Sequence, residues 1–310
     1  MVDSLLALRI LVATIAFPFG LIVGSFANVV IYRLPHDQSV VFPASRCPRC
    51  GRGLRFWHNI PVLSWAFLRG KCAFCGNPIS PRYPLIELFH GVGFAMVCLR
   101  FGLLPFTYPL LAFFSALVIL AFIDWDHQIL PDAITLPGIL IGIASTRLVG
   151  ALVEWKESVL TALIGYLSFL LVAKGYERLR GVEGLGQGDW KLAAMMGAFL
   201  GAQGLLLTVF LGSLSGMTYG LIQAYRLRRA HGALGTGEVV HAEADDPPHI
   251  EVQEGLNDET PEPTEDAASD VAPAIGKYKL PFGTFLAGSA IITLFRGEEL
   301  LTWYGSFFRP

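Results

Sequence analysis

Residues 103–138 read LLPFTYPLLAFFSALVILAFIDWDHQILPDAITLPG, and this stretch decides the fold. It begins with about twenty mostly apolar residues, the length that a helix needs to cross the apolar part of a bilayer. Asp124 is the first charged residue after that run, and a second apolar run starts at Ala133. The sequence therefore predicts two membrane-spanning helices whose short connection, carrying Asp124, Asp126 and Asp132, stays at the membrane edge.

The composition of the whole chain is that of a membrane protein. Of the 310 residues, 53% are hydrophobic and 15% are charged, and the mean hydropathy of +0.53 is high for a soluble domain. The stretch from Trp190 to Tyr225 is too long for one crossing and carries a turn signal at 201–204, so it predicts two. Other apolar runs that approach or exceed the spanning length lie at 4–32, 84–99, 157–174 and, in a shorter form, Leu280–Phe295. We predict an all-α polytopic membrane protein with about eight transmembrane helices, in which residues 1–310 form a single integral membrane domain.

The charges predict how the chain is oriented. Almost half of the 25 acidic residues lie between Glu238 and Asp270, and we expect residues 230–276 to form a disordered acidic loop, because they lack apolar residues. Most Lys and Arg residues fall in loops on one face of the eight-span arrangement. The positive-inside rule makes that face cytoplasmic and places both termini outside. A cleaved signal peptide is not expected, because the first apolar run is too long and has Asp3 where a basic start is usual.

Four of the five cysteines form two pairs, CPRC at 47–50 and CAFC at 72–75. Two such pairs are typical of a structural zinc site with four thiolate ligands. A glycine follows each pair, at Gly51 and Gly76, where a left-handed backbone is cheap. Disulfides are the alternative, but the predicted cytoplasmic side is reducing. We predict that residues 33–83 form a cytoplasmic zinc loop with Cys47, Cys50, Cys72 and Cys75 as ligands; Cys98 is interpreted as a small buried hydrophobe.

The acids at the membrane edge are candidates for catalysis. Residues 184–191 read GLGQGDWK, and Asp189 lies at the same predicted face as Asp124. Carboxylates near the bilayer are costly and usually functional. Two carboxylates held close together cannot both ionise easily, which is the principle of an aspartic-protease dyad. The glycines at 184, 186 and 188 are expected to let the backbone turn tightly.

Several alternatives stay open on spacing alone. Asp189 is equally well explained as a helix N-cap, and Asp132 is better explained as an N-cap or loop contact than as a catalytic group. Asp126 can replace Asp124 in the dyad. His127 has no second histidine at ligand spacing, so a catalytic zinc is not expected. A dinucleotide fingerprint at 184–188 is excluded because no βαβ unit fits between two spans.

Three other classes of membrane protein share some of these features. A proton-coupled transporter also uses intramembrane acids, but it is expected to show inverted repeats and midplane sites. A lipoprotein signal peptidase has its acids on the outer side. A zinc-ribbon scaffold needs no acids.

Several motifs together resemble the type IV prepilin peptidases, the leader peptidases of type IV pilins and type II secretion pseudopilins. They are GSFANVVIYRLP at 24–35, HNIPVLSW at 58–65, ISPRYPLIE at 79–87, FIDWDHQILPDAITLP at 122–137 and GLGQGDWKL at 184–192 with its GxGD signature. The resemblance covers nearly the whole chain. The acidic insert before KLPFGTFL departs from the family pattern, and KLPFGTFL itself is expected either to shape the active-site cavity or to be structural.

The resemblance implies an intramembrane aspartic endopeptidase of the bacterial inner membrane that removes a basic leader after a glycine on the cytoplasmic side. It maps the catalytic pair to Asp124 and Asp189 and decides against Asp126. It also implies N-methylation of the new N-terminus with S-adenosylmethionine. The expected partners are prepilins, pseudopilins and membrane lipid, with no nucleic acid. Asn28, Arg82 and Glu87 are interpreted either as contacts to substrate or donor, or as packing residues.

Overall fold

The computed structural model describes residues 2–47, 49–150, 152–182, 184–234 and 281–306. Within these ranges the chain is helical, and its only β-pairing is two isolated bridges, Arg46 with Gly53 and Lys71 with Pro78. Short 3-10 turns cover Leu34–His36 and Phe56–His58. The α-helices are α1 (Val2–Arg33), α2 (Leu63–Phe67), α3 (Arg82–Phe101), α4 (Thr107–His127), α5 (Asp132–Leu148), α6 (Trp155–Arg180), α7 (Gln187–Leu234) and α8 (Phe282–Ser306).

Five of these helices, α1, α3, α4, α6 and α7, are long and apolar enough to cross a membrane. This confirms the prediction of an all-α protein with several membrane-spanning helices. The apolar run predicted to start at Ala133 becomes α5, which ends at Leu148, and the run predicted at Leu280–Phe295 lies mostly in α8. The number of eight spans stays a prediction. Most of the predicted acidic loop, residues 235–276, lies outside the described residues, whereas its first residues, 230–234, are the end of α7.

The turn predicted at 201–204 is a break at a single residue of α7. Gly201 has φ 68° and ψ −174°, which is not helical, and helix resumes directly after it. The break leaves the N–H of Ala202 without its helical partner, and this N–H donates to the Glu157 carboxylate at 3.1 Å. Because a positive φ suits glycine, Gly201 explains why one apolar stretch forms two helical segments.

The chain divides into two compact units. One comprises residues 1–216 and 281–310, and the other residues 217–280. In the second unit residues 217–234 are described, and they are the helical end of α7. All candidate site residues lie in the first unit.

The first unit is held by two kinds of packing. Helices α1 and α3 approach closely through glycine: a Cβ on Gly24 would lie 2.7 Å from Cα of Glu87. Small residues permit such contacts between membrane helices. The central core is built from fully buried apolar side chains of α4, α7 and α8, among them Phe113, Leu117, Leu192, Met195 and Leu286. The ends of α4, α7 and α8 that carry Asp124, Asp189 and Thr284 therefore extend from one shared core.

Candidate active site and metal centre

The two candidate aspartates are both buried. Asp124 lies in the last turn of α4 and is 5% exposed, and Asp189 lies in the first turn of α7 and is 8% exposed. The charge of Asp124 acts on Asp189, so the carboxylates lie within electrostatic reach of each other. Buried carboxylates are rare unless paired or functional. The structure thus brings together the two acids that the sequence singled out.

Asp189 contributes to the start of α7, although it is not the N-cap. The helix begins at Gln187, so Asp189 is its third residue. Its Oδ2 accepts the backbone N–H of Gly186 at 3.1 Å, which is the reach-back contact of a capping box. The interpretation of Asp189 as the N-cap was therefore wrong about its position in the helix. It was right that the Asp189 carboxylate stabilises the start of α7.

The glycines before Asp189 serve packing. Gly186 and Gly188 do not have a positive φ. A Cβ on Gly188 would lie 2.5 Å from Cβ of Leu130, and one on Gly184 would lie 2.5 Å from the Tyr176 ring. Glycine at these positions lets the loop lie directly against its neighbours.

Asp124 is held by the start of α8, 160 residues further along the chain. The backbone N–H of Thr284 donates to Asp124 Oδ2 at 2.7 Å, and the Thr284 hydroxyl lies 3.0 Å from the same oxygen. That hydroxyl also lies 2.9 Å from the carbonyl oxygen of Ala121. A Cβ on Gly283 would lie 3.1 Å from the Asp124 carboxyl group. The KLPFGTFL segment therefore shapes the site, and Thr284 is a site residue that the sequence reasoning did not name.

Leu130, in the connection between α4 and α5, joins the three parts of the site. The Leu130 side chain is the nearest group to Gly188, which precedes Asp189 in the chain. It is also the nearest group to Gly283, which precedes Thr284. Lys191 adds an ion pair, because its Nζ lies 2.6 Å and 2.7 Å from the two carboxylate oxygens of Asp132. The prediction that Asp132 is an N-cap was wrong, because Pro131 is the N-cap of α5 and Asp132 is the first residue of that helix. The ion pair with Lys191 is the contact that Asp132 makes instead.

Asp126 and His127 lie outside the buried pair. The Asp126 carboxylate accepts a bidentate contact from the Arg82 guanidinium, which also lies 4.9 Å from the Phe122 ring centre. His127 makes an edge contact with His36 at 5.2 Å. These partners support Asp124 over Asp126 in the buried pair. Arg82 packs α3 against α4, and the Asn28 amide similarly donates to the carbonyl of Tyr83 at 3.1 Å.

The four paired cysteines come together between α1 and α3. Their sulfur atoms all lie within 4.8 Å of one another. Each half forms the same knuckle: Gly51 N–H donates to the Cys47 carbonyl at 2.9 Å, and Gly76 N–H donates to the Cys72 carbonyl at 3.0 Å. Both glycines have a positive φ, 70° and 69°. The predicted cluster and the predicted left-handed glycines are confirmed.

The cluster fits a tetrahedral metal ion. Zn–S bonds of about 2.3 Å place ligand sulfurs roughly 3.8 Å apart, and the Sγ atoms of Cys47 and Cys75 lie 3.9 Å apart. This separation is far longer than the ~2.05 Å of a disulfide. The backbone N–H groups of Phe74 and Cys75 lower the pKa of the Cys72 thiol to about 7, whereas the pKa of the Cys50 thiol is raised to about 11, so the fit to a metal ion rests on the sulfur positions. Cys98 is buried in the apolar core, as predicted.

Comparison with known protein families decides what these features belong to. Residues 19–101 match the bacterial peptidase A24 N-terminal domain, and residues 111–221 match the type IV leader peptidase family. The chain belongs to the type IV leader peptidase family. The family match covers the cysteine cluster in its first part, and Asp124 and Asp189 in its second.

Curated relatives in this family carry the same printed name, prepilin leader peptidase/N-methyltransferase. The Myxococcus xanthus protein is 46% identical over 220 residues, which are 71% of this chain and 65% of that relative. The Pseudomonas putida protein is 39% identical over 72% of this chain and 84% of its own length. The Neisseria gonorrhoeae protein is 41% identical over 70% of this chain and 83% of its own length. No solved structure matches the chain.

Proposed function

We propose that this protein is an intramembrane aspartic endopeptidase that removes the leader of type IV prepilins and type II secretion pseudopilins after a glycine, and then N-methylates the new N-terminus. The single observation that carries the protease assignment is the buried pair of Asp124 and Asp189 on separate helices of a leader peptidase family member. The names of the relatives support both the substrate and the second activity.

The pair suits hydrolysis because two carboxylates held close together can share one proton. An ionised carboxylate takes a proton from water, whose oxygen attacks the scissile carbonyl, while the protonated carboxylate gives its proton to the carbonyl oxygen. When the C–N bond breaks, the first carboxyl group passes its proton to the leaving amine and the second takes one back from the tetrahedral intermediate. Each carboxylate must therefore be stable with and without a proton.

Thr284 meets this requirement for Asp124. Its hydroxyl can donate to ionised Asp124, or it can donate to the Ala121 carbonyl and accept from protonated Asp124. The N–H of Thr284 fixes the carboxylate in place. The hydrogen bonds around Asp124 thus stay satisfied in both protonation states.

The proposed orientation follows from charge. Eight spans with the basic loops in the cytoplasm place Asp124, Asp189 and the cysteine cluster on the cytoplasmic side of the bacterial inner membrane, with both termini outside. A prepilin presents its apolar helix in the bilayer and its basic leader in the cytoplasm, so its cleavage site lies at the same boundary. The arginines of the cysteine loop contact anionic lipid in this arrangement.

Two further groups belong to the proposed enzyme. Zinc bound by Cys47, Cys50, Cys72 and Cys75 stabilises the loop between α1 and α3, and four thiolates leave no open coordination position for catalysis. S-adenosylmethionine supplies the methyl group. When bound, it would provide an electrophilic methyl group for the nitrogen of the new N-terminus.

The function is tested by incubating the purified full chain in lipid with a full-length prepilin and measuring the product mass. We expect the pilin to lose its leader, and to gain one methyl group only when S-adenosylmethionine is present. An unchanged prepilin mass would contradict the proposed protease, and a cleaved but never methylated product would contradict the second activity.

Substituting Thr284 by Val tests its role as a positioning residue. The Val side chain keeps the shape but removes the hydroxyl, so we expect kcat/KM of leader cleavage to fall about tenfold. Thr284→Ser keeps the hydroxyl and is the matched control, with activity close to that of the wild type. The pH profile of cleavage should change in the Val variant only. Equal rates and equal pH profiles for both variants would show that the hydroxyl has no role.

A further inference from the structure

The Leu130 side chain fills the space beside the buried pair of carboxyl groups. A Cβ on Gly188, the residue before the second aspartate, would lie 2.5 Å from Cβ of Leu130. A Cβ on Gly283 would lie 2.9 Å from Cδ1 of Leu130 and 3.1 Å from the carboxyl carbon of Asp124. One added carbon atom at this point would therefore press on Leu130 and on the carboxyl group together.

The helical core closes one side of the pair, and Leu130 lies at the other. Leu120, one turn before the first aspartate in α4, and Leu192, one turn after the second in α7, are both 0% exposed. Leu130 is partly buried and belongs to residues 128–131, the short connection that follows α4. A peptide that approaches the carboxyl groups along this connection therefore meets the Leu130 side chain.

The connection that carries Leu130 is held at both ends. At its start, the N–H of Gln128 donates to the carbonyl oxygen of Asp124 at 2.9 Å. At its end, Nζ of Lys191 lies 2.6 Å and 2.7 Å from the two carboxylate oxygens of Asp132. The Lys191 side chain is 20% exposed, so its end of the ion pair is shielded from solvent. These contacts keep Leu130 in a fixed position.

Hydrolysis brings a scissile carbonyl carbon into the same space. Reacting atoms have to lie about 3–3.5 Å apart, so this carbon comes close to both carboxyl groups. The residue that owns the carbonyl carries its side chain on the neighbouring Cα, and that side chain needs room beside the pair. The packing of Leu130 leaves no room for one carbon atom on Gly188 or on Gly283. A glycine in the substrate needs none.

We propose that Leu130 is the specificity-determining residue of this enzyme and restricts the last residue of the leader to glycine. The ion pair between Asp132 and Lys191 is a positioning contact that keeps Leu130 beside the carboxyl groups. This rests on the proposed function, which is cleavage after a glycine. It assigns the selectivity of the reaction to a side chain in the connection between α4 and α5, separate from the aspartates that carry the chemistry.

Exchanging side-chain volume between enzyme and substrate tests this assignment. Leu130→Ala removes three carbon atoms, and a full-length prepilin with valine in place of the last leader glycine adds three. We expect the full-chain Leu130→Ala variant in lipid to cleave the valine prepilin with a kcat/KM at least about tenfold above that of the wild type, because one methylene in a packed pocket changes discrimination about 10- to 200-fold. Cleavage is followed by product mass.

Leu136→Ala is the matched control. Leu136 lies in α5 and is 45% exposed, so this variant should keep the selectivity of the wild type. Leu130→Val loses one carbon atom and decides the question where Leu130→Ala does not fold; it should cleave a prepilin with alanine at the same position better than the wild type does. Wild-type selectivity in the folded Leu130 variants would overturn the proposal, as would equal cleavage of the glycine and valine prepilins by the wild type.

The ion pair is tested with Lys191→Met, which removes the charge and keeps a long side chain. We expect the ratio of kcat/KM for the glycine prepilin to that for the alanine prepilin to fall about threefold, an effect within the range of partly exposed ion pairs. Lys191→Arg keeps the charge and should keep the wild-type ratio. General destabilisation lowers both rates and leaves their ratio unchanged. An unaltered ratio in Lys191→Met would overturn the positioning role of the ion pair.

Failure of this inference is distinguishable from failure of the proposed function. A wild-type chain that cleaves the glycine prepilin, together with Leu130 variants that keep its selectivity, overturns the role of Leu130 alone. A wild-type chain that leaves the glycine prepilin uncut overturns the proposed protease, and this inference with it. Methylation of the product is measured separately and bears on neither outcome.

Discussion

Asp124→Asn and Asp189→Asn are each expected to abolish leader cleavage, with a loss of about 10³-fold or more. Asparagine has nearly the same shape as aspartate and can still accept the N–H of Thr284 or of Gly186, so the site should keep its geometry. It cannot take a proton from water or share one with its partner. The measurement is the rate at which purified variants in lipid produce mature pilin, followed by mass.

The neighbouring acid Asp126 provides a matched control two residues away. Asp126→Asn breaks an ion pair with Arg82 that is partly open to solvent, and such pairs contribute little, so cleavage should stay within about fivefold of the wild type. Thermal unfolding of all three variants checks that they are folded. Wild-type cleavage by Asp124→Asn together with loss in Asp126→Asn would exchange their roles; wild-type cleavage by Asp189→Asn would end the dyad mechanism.

Cys72→Ser is expected to remove the metal and unfold the loop between α1 and α3. Zinc binds four-thiolate sites of small peptides with roughly 10–16 kcal/mol at pH 7, and most of that free energy is folding free energy of the site. Among the described residues of 34–81, regular structure is limited to the five-residue helix α2, two 3-10 turns and two isolated β-bridges, so little else would hold the loop. We expect one zinc per wild-type chain by elemental analysis, none in the variant, and rapid proteolysis within the loop.

Cys98→Ala is the control for loss of a thiol. Cys98 is buried in the helical core, away from the cluster, so this variant should keep one zinc and a protease-resistant loop. Full zinc content in Cys72→Ser would contradict the assigned ligand set, and a metal other than zinc in the wild type would correct its identity.

The sequence predicted those features whose signals are local. The spacing of the cysteine pairs at 47–50 and 72–75 predicts a cluster. The glycine that follows each pair predicts a positive φ at that position. Asp124 directly follows a long apolar run, and Asp189 directly precedes one, so each was recognisable as an acid at the end of a predicted span. The break at Gly201 was expected because the run from Trp190 is too long for one span. These inferences need no knowledge of how helices are rotated about their axes.

The features that escaped prediction depend on that rotation. Thr284 meets Asp124 across 160 positions, and Leu130 lies between Gly188 and Gly283. In a membrane helix the lipid and the protein interior are both apolar, so the hydrophobic pattern does not show which face turns inward. For the same reason the hydrogen bond from the Val62 N–H to Glu87 was not predicted, although Glu87 was interpreted either as a contact to substrate or donor or as a packing residue.

The break at Gly201 has a consequence for the bilayer itself. In the eight-span arrangement, the segment that carries Asp189 runs only from Gln187 to Gly201, about 20 Å at ~1.5 Å per residue. The hydrocarbon core is about 30 Å thick, and a span that is too short thins the surrounding lipid. In that proposed arrangement, thinning would bring the membrane–water interface closer to Asp189 and Asp124. The mismatch between the short helical segment and the thicker hydrocarbon core would thus let water, the second reactant of proteolysis, reach carboxylates that are enclosed by protein.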